Sequence, residues 1–342
     1  MDNLKEAMLY EKLENSRVRC LLCSHGCVIE DGHMGICNVR ENRGGALYTK
    51  TYGHTISQAV DPIEKKPLFH VWPGSRSFSI ATPGCNLRCD WCQNAEISQM
   101  PRQQHFNAGM PAAPADIVHE AQNARCRTIA YTYTEPTIFF EYSHDTSILA
   151  HDAGLANVFV TNGFMSAEML ELYHPYLDAA NVDLKAFRDE TYRSHVGGRL
   201  QPVLDNMKRM KDYGIWLEVT TLLIPGINND PNEIRDIVRF IANDLGRDTP
   251  WHISRFFPTY KMTDIPPTPV AALEQAHDIA AEEGLNYIYL GNVRSKDGEN
   301  TKCPECDATV IRRHGFGRIV NDLVDGCCPG CNTSIPGLGM DE

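Results

Sequence analysis

One stretch constrains this chain more than any other: Ser79-Ile80-Ala81-Thr82-Pro83-Gly84-Cys85-Asn86-Leu87-Arg88-Cys89-Asp90-Trp91-Cys92-Gln93-Asn94. Cys85, Cys89 and Cys92 are spaced C-x3-C-x2-C in a loop that follows a short strand-forming run, Ser77 to Ala81. Three thiolates can hold three irons of a 4Fe–4S cluster and leave the fourth iron without a protein ligand, whereas most cluster proteins supply four cysteines. An open iron makes sense where something else has to bind. A zinc knuckle or free thiols is the bland alternative for this triad.

The chain has 342 residues, enough for about two domains of ~150 residues. Its formal net charge of −12 argues against a broad phosphate-binding face, so no nucleic-acid partner is expected. No apolar run approaches the ~18 residues of a membrane span, so no membrane partner is expected either. The beginning, MDNLKEAMLYEKLEN, is charged and lacks the apolar core of a secretion signal. The expected compartment is the cytoplasm, where thiols stay reduced. The 13 cysteines then need a reason other than disulfides. Their clustering reads as metal binding.

Residues 1–70 read as an N-terminal cysteine-rich module and lead-in. A helix is expected to about Glu14. Cys20, Cys23, Cys27 and Cys37 follow in a loop with Gly26, Gly32 and Gly35, which permit tight turns. Four sulfurs suit tetrahedral zinc or a second iron centre. Unmetallated thiols are the third reading. His25 and His33 read as loop histidines rather than replacement ligands. In Asp61-Pro62-Ile63-Glu64-Lys65-Lys66-Pro67-Leu68 the two prolines argue for an extended segment. Lys65 and Lys66 read as a solvated pair in preference to a substrate-facing one.

Residues 71–295 read as a barrel. Strands are expected at Ser77–Ala81, Thr128–Tyr133, Asn157–Thr161, Asn181–Leu184, Trp216–Leu223, His252–Phe256 and Tyr287–Leu290. Helices are expected at Ala115–Ala124, Ile138–Asp152, Ala167–Tyr173, Leu200–Tyr213, Pro231–Asn243 and Pro269–Glu283. Asp230-Pro231-Asn232-Glu233 is a helix start with an Asp cap and Glu at the third position. Strands alternating with helices imply parallel β-α-β units, with the active site at the strand C-terminal ends. The chemically interesting residues fall there: the cysteine loop, Tyr133-Thr134-Glu135-Pro136, Thr161-Asn162-Gly163-Phe164, Asp183-Leu184-Lys185, and the Ile224-Pro225-Gly226 turn. His252 and Arg255 lie on the sixth strand, and Gly291-Asn292 ends the seventh.

From about Gly74 to Asn292 the chain resembles the radical S-adenosylmethionine (SAM) core. Within it, the TNGF, DLK and PGINND motifs look like those of the pyruvate formate-lyase activating enzyme. DPIEKKPL, GCNLRCDWCQN, YTYTEPTIFFEY and YLGNV carry a narrower resemblance over nearly the full length, to the radical SAM protein of the AmmeMemoRadiSam system. The fold class implied is α/β, a partial (βα)6-type radical SAM barrel with N-terminal and C-terminal cysteine-rich, zinc-ribbon-like modules.

The resemblance implies that Cys85, Cys89 and Cys92 hold the cluster and that SAM takes the open iron. Trp91 would lie near the adenine. Thr134 and Glu135 stand in place of the Gly-Gly-Glu motif that receives the SAM amino group, here without its glycines. Asn162 would approach SAM, and Asp183 and Lys185 would meet its ribose and carboxylate. His252 and Arg255 are weaker candidates for the adenosine or substrate side. Tyr131, Tyr133, Phe139 and Phe164 read equally as a barrel mouth or as plain core. Reductive cleavage of SAM would yield a 5′-deoxyadenosyl radical that takes hydrogen from a substrate. Oxygen sensitivity and an external donor such as a flavodoxin or ferredoxin are expected. A glycyl-radical protein, another protein or peptide such as an AMMECR- or Memo-type partner, and a small molecule compete as substrate. The reading from another class is a non-catalytic zinc-binding scaffold.

Residues 296–342 contain two C-P-x-C knuckles, Cys303 with Cys306 and Cys328 with Cys331, separated by a basic β-like stretch Val310–Arg313. This is a zinc-ribbon signature, and a rubredoxin-type iron site has the same ligand logic. Cys327 reads as a spare thiol.

Overall fold

The computed structural model describes residues 4–103, 106–295 and 297–341. The first three residues of the expected N-terminal helix and the module boundary at Lys296 therefore lie outside the described residues.

An eight-stranded sheet organises the chain. Its strands are β1 (Ser57–Pro62), β2 (Arg76–Ala81), β3 (Thr128–Tyr131), β4 (Ala156–Thr161), β5 (Ala179–Asp183), β6 (Trp216–Leu223), β7 (Trp251–Arg255) and β8 (Ile288–Gly291). They lie side by side in chain order. β2 to β8 are parallel, and β1 runs antiparallel to β2 along one edge. Parallel strands are buried on both faces and so read as short continuous runs. β3 and β5 fit that rule, with their residues buried apart from Asp183 at the end of β5. Asp183 faces the site described below.

Among the described residues, six α-helices of seven residues or more connect the parallel strands: α1 (Pro114–Asn123), α2 (Phe140–Asp152), α3 (Ala167–Tyr173), α4 (Leu200–Asp212), α5 (Pro231–Phe240) and α6 (Val270–Glu282). Ser166 caps α3 by accepting from Met169 N at 3.1 Å. Asp230 caps α5 by accepting from Asn232 N at 2.9 Å. The reciprocal bond expected of Glu233 is absent from that cap. Its Oε1 instead accepts from Phe187 N at 2.7 Å, tying α5 to the segment after β5.

The expected N-terminal helix is not formed. Its residues make two short strands instead, Lys5–Glu6 against Ala46–Thr49 and Tyr10–Lys12 against Val18–Cys20. Pairing with strands outside the run, one nearby at Val18–Cys20 and one distant at Ala46–Thr49, overrides the local helical pattern. Apolar residues of this module, including Val18, Leu22, Ile29, Val39 and Leu47, join the core between sheet and helices.

The segment from Ile63 to Trp72 closes one side of the barrel. Ile63, Leu68 and Val71 pack on Ala130, Val158 and Ala179. Phe69 N and His70 N both donate to the buried Glu218 carboxylate, at 3.0 and 2.8 Å. Val71 bridges to Leu338, so an early and a late part of the chain meet under the sheet. Lys66 is not solvated: it is 1% exposed and its Nζ reaches Asp61 Oδ2 at 2.6 Å. Burial pulls Lys66 down to about 8, with the Asp61 bond opposing. Burial alone would raise Asp61, but bonds from Lys65, Lys66 and Tyr133 outweigh it and hold the carboxyl well below its usual range.

The C-terminal part forms a three-stranded antiparallel sheet, Thr301–Lys302, Thr309–His314 and Arg318–Asn321. Its Val310 and Ile311 pack with Phe69, Tyr287 and Tyr289.

Candidate active site

The cysteine loop leaves the end of β2 through Gly84, whose φ is +106°. A Cβ there would stand 2.9 Å from Val39 Cγ1 and 3.0 Å from Ile138 Cδ1, so both the backbone and the packing require glycine. Arg102 staples the loop from one side. Its Nη2 donates to Cys85 O at 2.7 Å, its Nη1 to Leu87 O at 3.0 Å and its Nε to Ile36 O at 3.0 Å. On the other side lies a π-helical turn, Tyr192–Val196. Arg88 N donates to Val196 O and Asp90 N to His195 O. Gly197 and Gly198 allow this approach, because a Cβ at either would come within 2.8 Å of Arg88 or Leu87.

The three thiols sit in a poorly solvated place. Burial pushes Cys85 well above the ordinary thiol value, with the charge of Glu135 adding to it. Burial pushes Cys89 up to about 11, with Lys185 opposing. Burial thus disfavours the charged form of Cys85 and Cys89 in the bare protein, whereas thiolate is the form that binds a metal. Leu87 N donates to Cys85 Sγ at 3.4 Å, and Ser98 Oγ lies 3.2 Å from Cys92 Sγ. The donor set therefore fits a soft, thiolate-bound centre.

Two strand ends are tied to this loop through Glu135. The carboxylate is 1% exposed. Its Oε1 accepts from Thr137 N at 3.0 Å, Thr137 Oγ1 at 2.6 Å and Thr161 Oγ1 at 2.7 Å. Its Oε2 accepts from Asn162 N at 2.8 Å. Asn162 Nδ2 in turn donates to Asn86 Oδ1 at 2.8 Å and lies 3.8 Å from Cys85 Sγ. One chain of contacts thus runs from the end of β3 through the end of β4 to the cysteine loop. Tyr133 takes a left-handed φ of +62°, rare for a bulky residue. Asn94 Nδ2 donates to its carbonyl at 2.7 Å, and its hydroxyl donates to Asp61. Thr134 Oγ1 donates to Thr82 O at 2.8 Å.

Asp183 ends β5, and Lys185 Nζ donates to its Oδ2 at 3.0 Å. Lys185 also acts electrostatically on Cys89. Asn228, in the turn after β6, fixes the Lys185 carbonyl at 2.8 Å. Trp91 is 3% exposed, with its ring centroid 6.4 Å from that of His195.

His252 is held elsewhere. Its Nε2 donates to Glu218 Oε2 at 2.6 Å, and its ring stands between Phe69 and Tyr289 at 4.7 and 5.1 Å. The structure joins it to the segment closing the barrel and to the C-terminal sheet, through Arg313 over Phe69. Arg255 donates to Thr268 O at 2.7 Å. Tyr131, Phe139 and Phe164 are buried core, and of the four aromatics only Tyr133 stays partly open. Arg102, Asn86, Asn94 and Glu218 were not read from the sequence. Asn86 and Asn94 flank the cysteines, but nothing local marks Arg102 or Glu218.

In the C-terminal sheet, Cys303, Cys306, Cys328 and Cys331 bring their sulfurs within 4.8 Å of one another and could hold a metal ion. Cys303 lies 3.4 Å from Cys331 and Cys306 3.6 Å from Cys328, sulfur to sulfur. Among the described residues, no other three ligand atoms of His, Cys, Asp or Glu gather so closely.

The sequence model of the radical SAM superfamily matches residues 79–241. The protein MJ0808 of Methanocaldococcus jannaschii is 45% identical over 334 residues, 97% of this chain and 99% of that protein. The 4-hydroxyphenylacetate decarboxylase activating enzyme of Clostridioides difficile is 22% identical over 226 residues, 60% of this chain and 71% of that enzyme. A radical SAM methyltransferase structure from Sphaerobacter thermophilus shares the fold, with a TM-score of 0.52 and 13% identity over 86% of this chain and 79% of that one. The chain belongs to the radical SAM superfamily. Its members are enzymes, and membership implies a 4Fe–4S cluster, SAM and SAM-cleaving radical chemistry. No helix among the described residues is long and apolar enough to cross a membrane.

Proposed function

We propose that this chain is an activating-enzyme-like radical SAM enzyme, of the oxidoreductase class, that takes a hydrogen atom from a protein substrate. Cys85, Cys89 and Cys92 hold the cluster. Bound there and reduced by an external flavodoxin or ferredoxin, the cluster would supply the one electron needed to cleave SAM to methionine and a hydrogen-abstracting 5′-deoxyadenosyl radical. The chain's own residues position and shield. Lys185 pairs with the SAM carboxylate and Asp183 accepts from its hydroxyl or ammonium groups. Trp91 packs near the adenine. Asn162 and Thr134 shape the SAM-facing backbone.

Glu135 acts here as a positioning residue, because its oxygens already accept four hydrogen bonds from the protein. The observation that carries the reading is the chain of contacts from Glu135 through Asn162 to Asn86 and Cys85. It makes the Thr-Glu and Thr-Asn-Gly motifs parts of one site with the cysteine loop. The activating enzyme among the relatives favours a protein substrate. The narrower resemblance names an AMMECR- or Memo-type protein as the first partner to try. The C-terminal cysteines hold structural zinc.

The test is anaerobic reconstitution with iron and sulfide, then SAM and dithionite, with 5′-deoxyadenosine measured. Production in the wild type and none in Cys85→Ala/Cys89→Ala/Cys92→Ala supports the reading. No production despite an assembled cluster, with and without the partner protein, would overturn it.

A further inference from the structure

Two lysines at the start of the segment that closes the barrel share one carboxylate. Lys65 Nζ donates to Asp61 Oδ1 at 2.8 Å and Lys66 Nζ to Asp61 Oδ2 at 2.6 Å. Ser79 Oγ and the Tyr133 hydroxyl donate to the same Oδ2. Two positive charges stand against one negative, which leaves one over. Glu218, the next carboxylate below, is already met by Phe69 N, His70 N, Trp216 Nε1 and His252 Nε2. The two lysines differ in access: the Lys66 side chain is 1% exposed and the Lys65 side chain 45%. Lys66 therefore balances Asp61 out of reach of solvent, and Lys65 carries the spare charge where a ligand can meet it. Both ammonium groups lie over the Tyr133 ring, Lys66 at 4.4 Å from its centroid and Lys65 at 5.8 Å.

Strand geometry puts this cluster inside the barrel. Alternate residues of a strand share a face. On β5, Ala179 packs on Ile63, Leu68 and Val71, so Ala179, Asn181 and Asp183 face inward. On β6, Glu218 binds Phe69 N and His70 N, so Thr220 and Leu222 face inward too. The interior then has three levels. The floor is the segment from Ile63 to Trp72. At the mouth stand Asp183 and Lys185, proposed above to meet SAM. Between them, Asn181 Nδ2 donates to Pro67 O, one residue beyond Lys66, at 2.8 Å. Tyr133 joins this middle level to the cysteine loop: its carbonyl accepts from Asn94 Nδ2 and its hydroxyl reaches Asp61. Val160 and Leu222, inward near their strand ends, are partly exposed, whereas Thr161 and Leu223 beside them are buried. The interior is open from the mouth down toward the middle level.

Two inward-facing polar atoms here lack a partner among the described residues. Asn181 Oδ1 and Thr220 Oγ1 are buried and unpaired, although the other arm of the Asn181 amide is bonded. An amide oxygen only accepts, so Asn181 is ready for an N–H or O–H from a bound molecule. The level thus offers one positive charge and one acceptor. A single carboxylate matches a spare charge of one, whereas a phosphoryl group brings about −1.5 to −2 at neutral pH. The complementary ligand carries a carboxylate with an N–H or O–H donor close to it.

We propose that Lys65 and Asn181 form the substrate subsite beneath SAM and take an acidic residue of the protein substrate, its side-chain carboxylate on Lys65 and a neighbouring N–H on Asn181. Lys66, Asp61 and Tyr133 are positioning residues for Lys65. The proposal deepens the protein-substrate reading above and rests on it for the source of the carboxylate, while the carboxylate chemistry rests on the residues themselves.

The test is calorimetric binding to the full-length reconstituted protein, with SAM present and no reductant. Three probes are compared: N-acetyl-aspartate N-methylamide, its uncharged counterpart N-acetyl-asparagine N-methylamide, and glycolate as a free hydroxy acid. The aspartyl probe is expected to bind about tenfold or more tighter than the asparaginyl one. Lys65→Gln, at a half-exposed position that the fold does not depend on, should erase that preference, and Lys65→Arg should keep it. Lys66→Gln should erase it as well with Lys65 intact, because Asp61 then takes up the spare charge, and Lys66→Arg should restore it. Asn181→Ala should weaken both amide probes and leave the preference between them. Equal binding of the two amides to the wild type, or a preference that survives Lys65→Gln, would overturn the proposal. Glycolate bound more tightly than the aspartyl probe would overturn the acidic residue as the source and assign the carboxylate to a small hydroxy acid. Failure of the radical SAM reading looks different: no 5′-deoxyadenosine forms under reductant while the aspartyl preference and its loss in Lys65→Gln remain.

Discussion

The backbone amide of Asn162 donates to Glu135 Oε2 at 2.8 Å, fastening the end of β4 to the end of β3. The same carboxylate takes three further donors on its other oxygen. A glutamine amide turns one acceptor into a donor and leaves protein N–H or O–H groups facing it. Glu135→Gln is expected to cost about 1–3 kcal/mol, read as a lower urea midpoint. The reconstituted cluster of that variant should no longer change its spectrum when SAM is added. A midpoint equal to the wild type would contradict the positioning role.

Lys185 lies between Asp183 and Cys89 and carries the positive charge proposed to meet the SAM carboxylate. A hydrogen bond to a charged group contributes about 1.5–3 kcal/mol, a factor of roughly 10–100 in affinity. Lys185→Ala should raise the KM for SAM by about that factor and keep the iron content. Lys185→Arg should recover part of it. An unchanged KM would place the carboxylate elsewhere.

Gly84→Ala puts a side chain at φ +106° and within 3.0 Å of Val39 and Ile138. Strained backbone of this kind costs about 1–3 kcal/mol before any clash. The expected result is a displaced cysteine loop, measured as iron lost on gel filtration after reconstitution. Full iron retention would show that the loop adapts.

Stability should fall in mild acid because of His70. Burial pulls its folded value down to about 4, against the field of Glu218, while an unfolded histidine titrates near ~6.5. Between those values the unfolded chain binds more protons, so stability is full above ~6.5 and declines as the pH drops toward 4. The loss is at most about 3 kcal/mol. The ring accepts from the Tyr289 hydroxyl and donates to Pro336 O, both at 2.7 Å, so protonation breaks the first of these bonds. Urea titrations from pH 7.5 to ~4.5 should show the slope, and His70→Gln should flatten it.

The barrel was legible because parallel strands are short apolar runs bounded by turn residues. All seven expected parallel strands begin within two residues of the observed starts. The cysteine triad and the motifs at the strand ends were legible for the same reason, since each follows a strand. Residues 4–14 were misread as a helix because the run is charged and free of Gly and Pro, while Lys5–Glu6 and Tyr10–Lys12 find strand partners outside it. Lys66 was misread because its burial depends on Asp61 and the distant Tyr133. Arg40 and Glu141 are 101 positions apart, and no local pattern connects them. His252 sits on the expected strand, but its partner Glu218 lies 34 positions earlier and claims its ring.

The bridge between Val71 and Leu338 also sets an order of assembly. All eight strands of the large sheet precede Leu338 in the chain. During synthesis the sheet is therefore complete while the segment beneath it still waits for its late partner. Through that interval Ile63 to Trp72 lies beneath the barrel without its Leu338 bridge, which can form only after the last strand of the sheet has been made.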